Sequence, residues 1–378
     1  MSALFTPLKL GNTMIPNRIG MSALTRNRST TTVPNELMLK YYVQRAKGGA
    51  GLIVSEGILI SRQGSEWQQA PGIWNQAQID GLVFPPRFGA EKLIYFFHSS
   101  FGTDASHTLM PPNKLPLEWQ PVYAPSAISA RGGKFRFLTG HPGYVTPTEI
   151  ADPTTLIAQF KQAAINAKEA GFDGVELHGA NGYLVHQFLD STSNHRTDKW
   201  GGSSENRARF ALETLRALIE VWGPDVALKI SPTGGYNDMG MPLQDTIDTF
   251  GHLLREADKL GLSYVTLVRY STHTDVEFEG KLRATQHDVL STFAPLLTST
   301  PVFVNSGVTP AEAEALVRSG KAAGVFMGIN WISHPDLVRR LKAGQALDNV
   351  LDFVRIYGSD AEGVDLTVGY VDYPEATY

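Results

Sequence analysis

Residues Phe172–Asn194 read FDGVELHGANGYLVHQFLDSTSN. Asp173–His178 has the length and composition of a short buried strand, and Gly179-Ala-Asn181-Gly-Tyr183 after it is a glycine-rich turn. Upstream, Thr155–Ala170 is cleanly amphipathic, so helix, strand and turn follow one another in the order of an α/β repeat. The strand ends in His178, and the turn presents Asn181 and Tyr183 just beyond it. His178 and Asn181 offer two hydrogen-bond donors to one anionic or carbonyl oxygen, and Tyr183 offers a phenolic proton nearby. Taken singly, a strand-end histidine or asparagine serves equally well to satisfy loop backbone. The three on one turn point to polarising an enone or a similar acceptor.

The same alternation runs along the chain. Ala50–Glu56 (AGLIVSE) is a near-continuous apolar run, as expected of a parallel strand covered on both faces. Strands are expected near residues 20, 53, 95, 176, 229, 266, 303 and 326. Helices are expected over Asn35–Lys47, Glu205–Val221, Leu243–Leu260, Gln286–Leu297, Ala311–Ser319 and Asp336–Ala343. Eight such repeats in 378 residues predict an α/β fold of one domain, a (β/α)8 TIM barrel over residues 1–378, rather than an open doubly wound sheet. The lack of G-x-G-x-x-G after any strand argues the same way. In such a barrel the active site lies at the C-terminal strand ends, where Thr25, Glu56, His178, Lys229 and Ser306 fall. Residues 99–152 are too long for a simple connection and are expected as an excursion over the barrel mouth, containing a hairpin and acting as a lid. Between Trp74 and Leu93, Pro85-Pro86 and Gly89 break the helical period, so one outer helix should be short or degenerate.

Composition narrows the class. Hydrophobic content of 42% and charged content of 19% suit a soluble protein with a substantial core. A net charge of −4 gives no basic footprint for nucleic acid or anionic membrane. With no cysteine, disulfides, thiolate metal sites and cysteine nucleophiles are excluded. His141, His178, His186 and His195 lack ligand spacing with nearby carboxylates, so no metal site is expected. No secretory signal or membrane-spanning run is apparent, and a cytoplasmic location is expected.

LFTPLKLGNTMIPNRIGMSALTRNRS, SEGILISRQGSEWQQAPGIW, VELHGANGYLVHQFLDSTSNHRTDKWGGSSENRARFALE, NSGVT, ISHPDL and GYVDYP together carry a resemblance over nearly the whole chain. The chain resembles the Old Yellow Enzyme family of flavin-dependent ene-reductases. The resemblance implies FMN across the strand ends, reduced by NADPH or NADH. It implies hydride transfer to the β-carbon of a small α,β-unsaturated carbonyl or nitro compound. By the same resemblance, His178 and Asn181 hold the substrate oxygen and Tyr183 gives the α-carbon its proton. Thr25, Gly57, Lys229, Ser306, Gly307 and Gly328 fall at flavin-binding positions, and Trp67, Tyr95 and Trp331 at the substrate pocket. A monomer or homodimer is expected. Asn194, Arg196, Asp198 and Arg207 are read as scaffold.

The sequence also departs from the family pattern. Tyr95 stands where a glutamine amide usually reads the flavin, and Lys229 stands for an arginine, losing the planar fork. Ile329 stands where an arginine usually meets the flavin phosphate; a lost charge-assisted bond of that kind is worth roughly 1.5–3 kcal/mol. Backbone amides at Ser306, Gly307 and Gly328 are left to cradle the phosphate. Two activities are therefore carried forward. One is an FMN-dependent ene-reductase. The other is a flavin-depleted isomerase or cyclase using the same His178, Asn181 and Tyr183 without redox chemistry. A non-catalytic binding protein would have little use for all three side chains.

Overall fold

The computed structural model describes residues 2–64, 67, 69–83, 95–100, 122–132, 144–275, 277–359 and 363–378. Eight parallel strands close on themselves: β1 Ile19–Met21, β2 Leu52–Leu59, β3 Tyr95–Ser100, β4 Gly174–Gly179, β5 Val226–Ile230, β6 Tyr264–Val268, β7 Val302–Asn305 and β8 Gly324–Met327. Each pairs with its neighbour in sequence order, and β8 pairs back onto β1 through Phe326 opposite Gly20. This is the expected TIM barrel. Strands β4 and β5 are buried along their whole length, as their apolar runs require of a sheet wrapped by helices.

The barrel interior is packed rather than hollow. Tyr264, Phe303 and Phe326 meet at centroid separations of 5.0–5.7 Å near the N-terminal strand ends. Two glycines make room for them. A Cβ at Gly20 would lie 2.4 Å from Phe326, and one at Gly324 would lie 2.4 Å from Phe303. An antiparallel hairpin, Leu8–Leu10 with Thr13–Ile15, packs Leu10 and Ile15 onto this layer and so covers the N-terminal mouth. Chemistry is left to the other end.

Outside the barrel run α1 Glu36–Lys47, α2 Gln76–Leu82, α3 Pro153–Glu169, α4 Leu184–Leu189, α5 Ser204–Trp222, α6 Leu243–Asp258, α7 Val289–Phe293, α8 Pro310–Arg318, α9 Ile329–Ser333 and α10 Leu337–Ala343. Local chemistry sets their starts: Asn35 caps α1 by accepting from Met38 N, and Thr309 caps α8 by accepting from Glu312 N, with Pro310 in its first turn. α2 is short, seven residues, as expected; residues 84–94 beyond it lie outside the described residues. The helix expected over Gln286–Leu297 is instead α7 followed by a 3-10 turn, Ala294–Leu296, because Pro295 has no N–H to continue an α ladder.

Residues 101–121 and 133–143 of the excursion lie outside the described residues. The strand pair that is described there, Tyr123–Ala124 with Thr148–Glu149, is parallel. This pair is not a hairpin, and most of the segment in which one is expected lies outside the described residues. Arg196 anchors the pair, donating to Pro125 O and Ile150 O while pairing with Asp198. Arg207 bonds Leu189 O and Thr249 Oγ1, so both arginines serve as scaffold. Among the described residues, no helix is long and apolar enough to cross a membrane, and no group of three histidines and carboxylates could hold a metal ion.

Candidate active site

At the C-terminal strand ends lies a cavity of about 330 Å³, lined by residues in or after the ends of β1, β2, β4, β5, β6 and β8. That volume is at the lower end of the range of small-molecule sites. His178 and Lys229 are register partners on adjacent strands, so both side chains reach the cavity from the same level. Asn181 and Tyr183 join them from the turn after β4, and the Tyr183 ring lies 5.1 Å from the His178 ring. Thr25, Gly57 and Trp67 complete the convergence. The predicted donor pair, proton source and cation thus share one wall.

The turn that carries them is held in an unusual shape. Asn181 and Gly182 both adopt positive φ, 58° and 71°. A Cβ at residue 182 would lie 2.5 Å from Asn237 Cβ, so glycine is needed there for space as well as for backbone freedom. Asn181 N donates to Ser231 Oγ, and Gly182 N donates to His186 Nδ1. Because Nδ1 accepts, the neutral His186 ring keeps its proton on Nε2. Burial pulls its pKa down to about 4, against the opposing charge of Asp190.

Lys229 is 5% exposed, and burial draws its ammonium pKa down while the charge of Glu176 opposes this. Its Nζ donates to Ser22 Oγ at 3.3 Å, Ser22 donates to Asn305 Oδ1, and Asn305 Nδ2 bonds Phe326 O. The cation is therefore aimed into the cavity from the barrel wall and tied to β1, β7 and β8.

Five further expected residues fare differently. Trp331 is fully buried and its indole N–H donates to Gly20 O, so it braces α9 against β1 rather than lining the cavity. From the same helix, Ile329 and Ile332 reach the cavity instead. Ser306 and Gly307 adopt φ of 81° and 66° in the loop after β7, with Ser306 O accepting from Arg269, and neither lines the cavity. Gly328 precedes α9, also outside the lining. The backbone of Tyr95 lies in β3, but its side chain is outside the described residues.

The sequence reading missed one wall entirely. Ile356 and Tyr357, from the C-terminal segment, line the cavity, and Tyr357 packs on Trp67 at 4.4 Å between ring centroids. Three buried arginines hold that segment. Arg26 donates to Ile356 O and Gly369 O, Arg28 to Arg355 O, Ile356 O and Leu366 O, and Arg45 to Tyr370 O. Glu56, beside Gly57, accepts from the backbone N–H groups of Arg26 and Asn27. Burial raises its pKa to about 7 despite those donors and the nearby guanidiniums. The repeated arginines of TRNRS were the available signal.

A sequence model of the NADH:flavin oxidoreductase / NADH oxidase family matches residues 3–86 and 100–348. The chain belongs to this family, which includes the Old Yellow Enzymes. It is 35% identical to aldehyde reductase FrzD of Cladobotryum sp over 100% of this chain and 95% of that protein. It is 34% identical to the probable inactive reductase easA of Epichloe festucae var. lolii, over 99% and 95%. Morphinone reductase, solved in complex with tetrahydroNAD, superposes with a TM-score of 0.81 at 32% identity, covering 99% of this chain and 98% of that one.

FMN is the family's cofactor, with a nicotinamide nucleotide as reductant. Of the expected flavin-binding residues, Thr25, Gly57 and Lys229 line the cavity, and that walled site with one buried amine fits the flavin end. The phosphate end is less well matched, since Ile329 is 46% exposed and Lys229 is the one cation among the described lining residues. Backbone amides of the Ser306-Gly307 turn are the remaining candidates there.

Proposed function

We propose that this protein is an FMN-dependent ene-reductase that reduces the activated C=C bond of a small α,β-unsaturated carbonyl or nitro compound at the expense of NADPH or NADH. The observation that carries this reading is the meeting of His178, Asn181, Tyr183, Thr25 and Lys229 at one cavity on the catalytic face of the barrel. Bound FMN, once reduced, supplies the hydride for the β-carbon. The protein's own side chains do the rest. His178 and Asn181 donate to the substrate oxygen and stabilise the charge that develops on it. Tyr183, on the same wall, delivers a proton to the α-carbon. Lys229 would supply positive charge beside the flavin ring; burial works against that charge, and the nearby Glu176 carboxylate supports it. In this reading residues 1–378 act as one cytoplasmic domain, as a monomer or homodimer.

The test is the visible spectrum of the purified protein with FMN, followed by turnover of an unsaturated ketone. Retained flavin and NADPH-dependent reduction are expected. Tyr183→Phe should keep flavin reduction but slow alkene reduction by about 10²-fold, and His178→Ala should raise KM. A protein that never retains FMN would overturn the reading. The exposed Ile329, and the resemblance to a reductase named as probably inactive, favour one second reading. In it, the same three side chains isomerise or cyclise a conjugated carbonyl, and turnover would then proceed without nicotinamide.

A further inference from the structure

The backbone of the turn after β4 is held at every polar group of Asn181 and Gly182. Beyond the bonds to Ser231 and His186, Gln187 Nε2 donates to Gly182 O at 2.7 Å, and Asn237 Nδ2 donates to Asn181 O at 2.9 Å. Asn237 comes from the loop after β5 and is itself unusual. It and Asp238 are consecutive non-glycine residues at φ 54° and 61°, a conformation that persists where surrounding contacts over-determine it.

Those contacts come from the excursion after β3 and from Arg283. Tyr144 Oη donates to Asn237 Oδ1 at 2.5 Å. Arg131 N and Nη2 both donate to the Asp238 carboxylate at 2.8 Å, and Arg283 Nε joins them at 3.2 Å. The amide of Asn237 is thus bonded at both its oxygen and its nitrogen, and its orientation is fixed by its partners. A carbonyl can only accept, so Nδ2 must face Asn181 O, which leaves Oδ1 for the tyrosine hydroxyl. Tyr236, the preceding residue, lines the active cavity.

We propose that Asn237 is a positioning residue for the oxygen-binding pair, its side chain transmitting the seating of Tyr144 in the excursion to the backbone of Asn181. This rests on the assignment of His178 and Asn181 to the substrate oxygen. Asn181 donates usefully when its turn is held in the left-handed shape, and Asn237 is the link from that turn to the excursion. Polarisation along the Tyr–Asn–carbonyl chain strengthens each bond. Seating of Tyr144 and Arg131, the described residues of the excursion that meet this loop, then aligns the donors.

The test compares FMN-loaded wild type with N181A, N237A, N237D, Y144F and the Y144F/N237A double variant on an unsaturated ketone. Loss of one hydrogen bond corresponds to roughly fivefold in binding. N237A and N237D should raise KM by about that factor with flavin content unchanged. N237D is the sharper probe, since it can still accept from Tyr144 but cannot donate to Asn181. Y144F should raise KM about threefold in the wild-type background and not at all in N237A, because coupled groups are not additive. If N181A leaves KM unmoved, the oxygen-binding assignment itself fails. If N181A raises KM while N237D and Y144F do not, or if the double variant is additive, the positioning role is overturned and the assignment stands. Should N237A fail to fold, the near-isosteric N237D and Y144F decide the matter.

Discussion

Lys229 and Ile329 line the same cavity and make opposite demands on a flavin. Lys229 is buried and tied to Ser22, whereas Ile329 is half-exposed and offers a phosphate nothing but its backbone. Replacing Ile329 with arginine should restore a charge-assisted bond and tighten FMN about tenfold or more, with little change for riboflavin, which lacks the phosphate. Fluorescence titration of both flavins checks this, and equal tightening of the two would refute it. The sequence exposed Lys229 because a strand end fixes where a side chain points. Trp331 was misread for a matching reason. It follows β8 by only a few residues, but the turn into α9 swings it inward onto Gly20, and the phase of so short a helix has no periodic signal.

Among the elements, the C-terminal segment is the one the sequence hid. Its described residues form no long helix or strand, and partners more than 300 positions away set its course. The strands and long helices were legible because period and burial coincide in them. Asn35, Asp152, Ser203 and Thr309 cap α1, α3, α5 and α8, marking their starts within a residue or two of expectation. Arg28 shows what the segment depends on. Its guanidinium donates to the carbonyls of Arg26, Arg355, Ile356, Leu366 and Val368, and burial beside Arg26 lowers its pKa to about 10. Arg28→Met would strand several buried carbonyls at about 1–3 kcal/mol each. A loss of at least about 3 kcal/mol in urea unfolding is expected, together with faster proteolysis near residues 355–368. Arg28→Lys should rescue little, because a point charge cannot serve carbonyls spread around a planar fork. Unchanged stability in the methionine variant would show that Arg26, Arg45 and the apolar contacts hold the segment without Arg28.

Across the whole molecule, two buried groups contribute opposite slopes to stability against pH. Glu56 keeps its proton up to about pH 7 in the folded state, compared with 4.5 when unfolded. Between those values the native state binds the extra proton, so this group makes stability fall as pH rises, by about 3 kcal/mol in all. His186 does the reverse. Its folded pKa near 4 lies below the ordinary 6.5, so the unfolded chain binds the extra proton and stability rises with pH over that window, by a similar amount. The burial-lowered pKa of His334 leans the same way as His186. From about pH 4.5 to 6.5 these slopes oppose one another, and the wild-type profile should be flatter than either group alone would make it. Glu56→Gln keeps an acceptor for the Arg26 and Asn27 amides but removes the titration, so its stability relative to wild type should grow by about 3 kcal/mol as pH rises from 4.5 to 7. His186→Asn keeps an acceptor for Gly182 N–H and should gain on wild type as pH falls from 6.5 to 4. Urea unfolding at half-unit pH steps reads both differences. If the profile of the Glu56→Gln variant runs parallel to wild type throughout, Glu56 is ionised in the fold, and the Arg26 and Arg28 guanidiniums outweigh its burial.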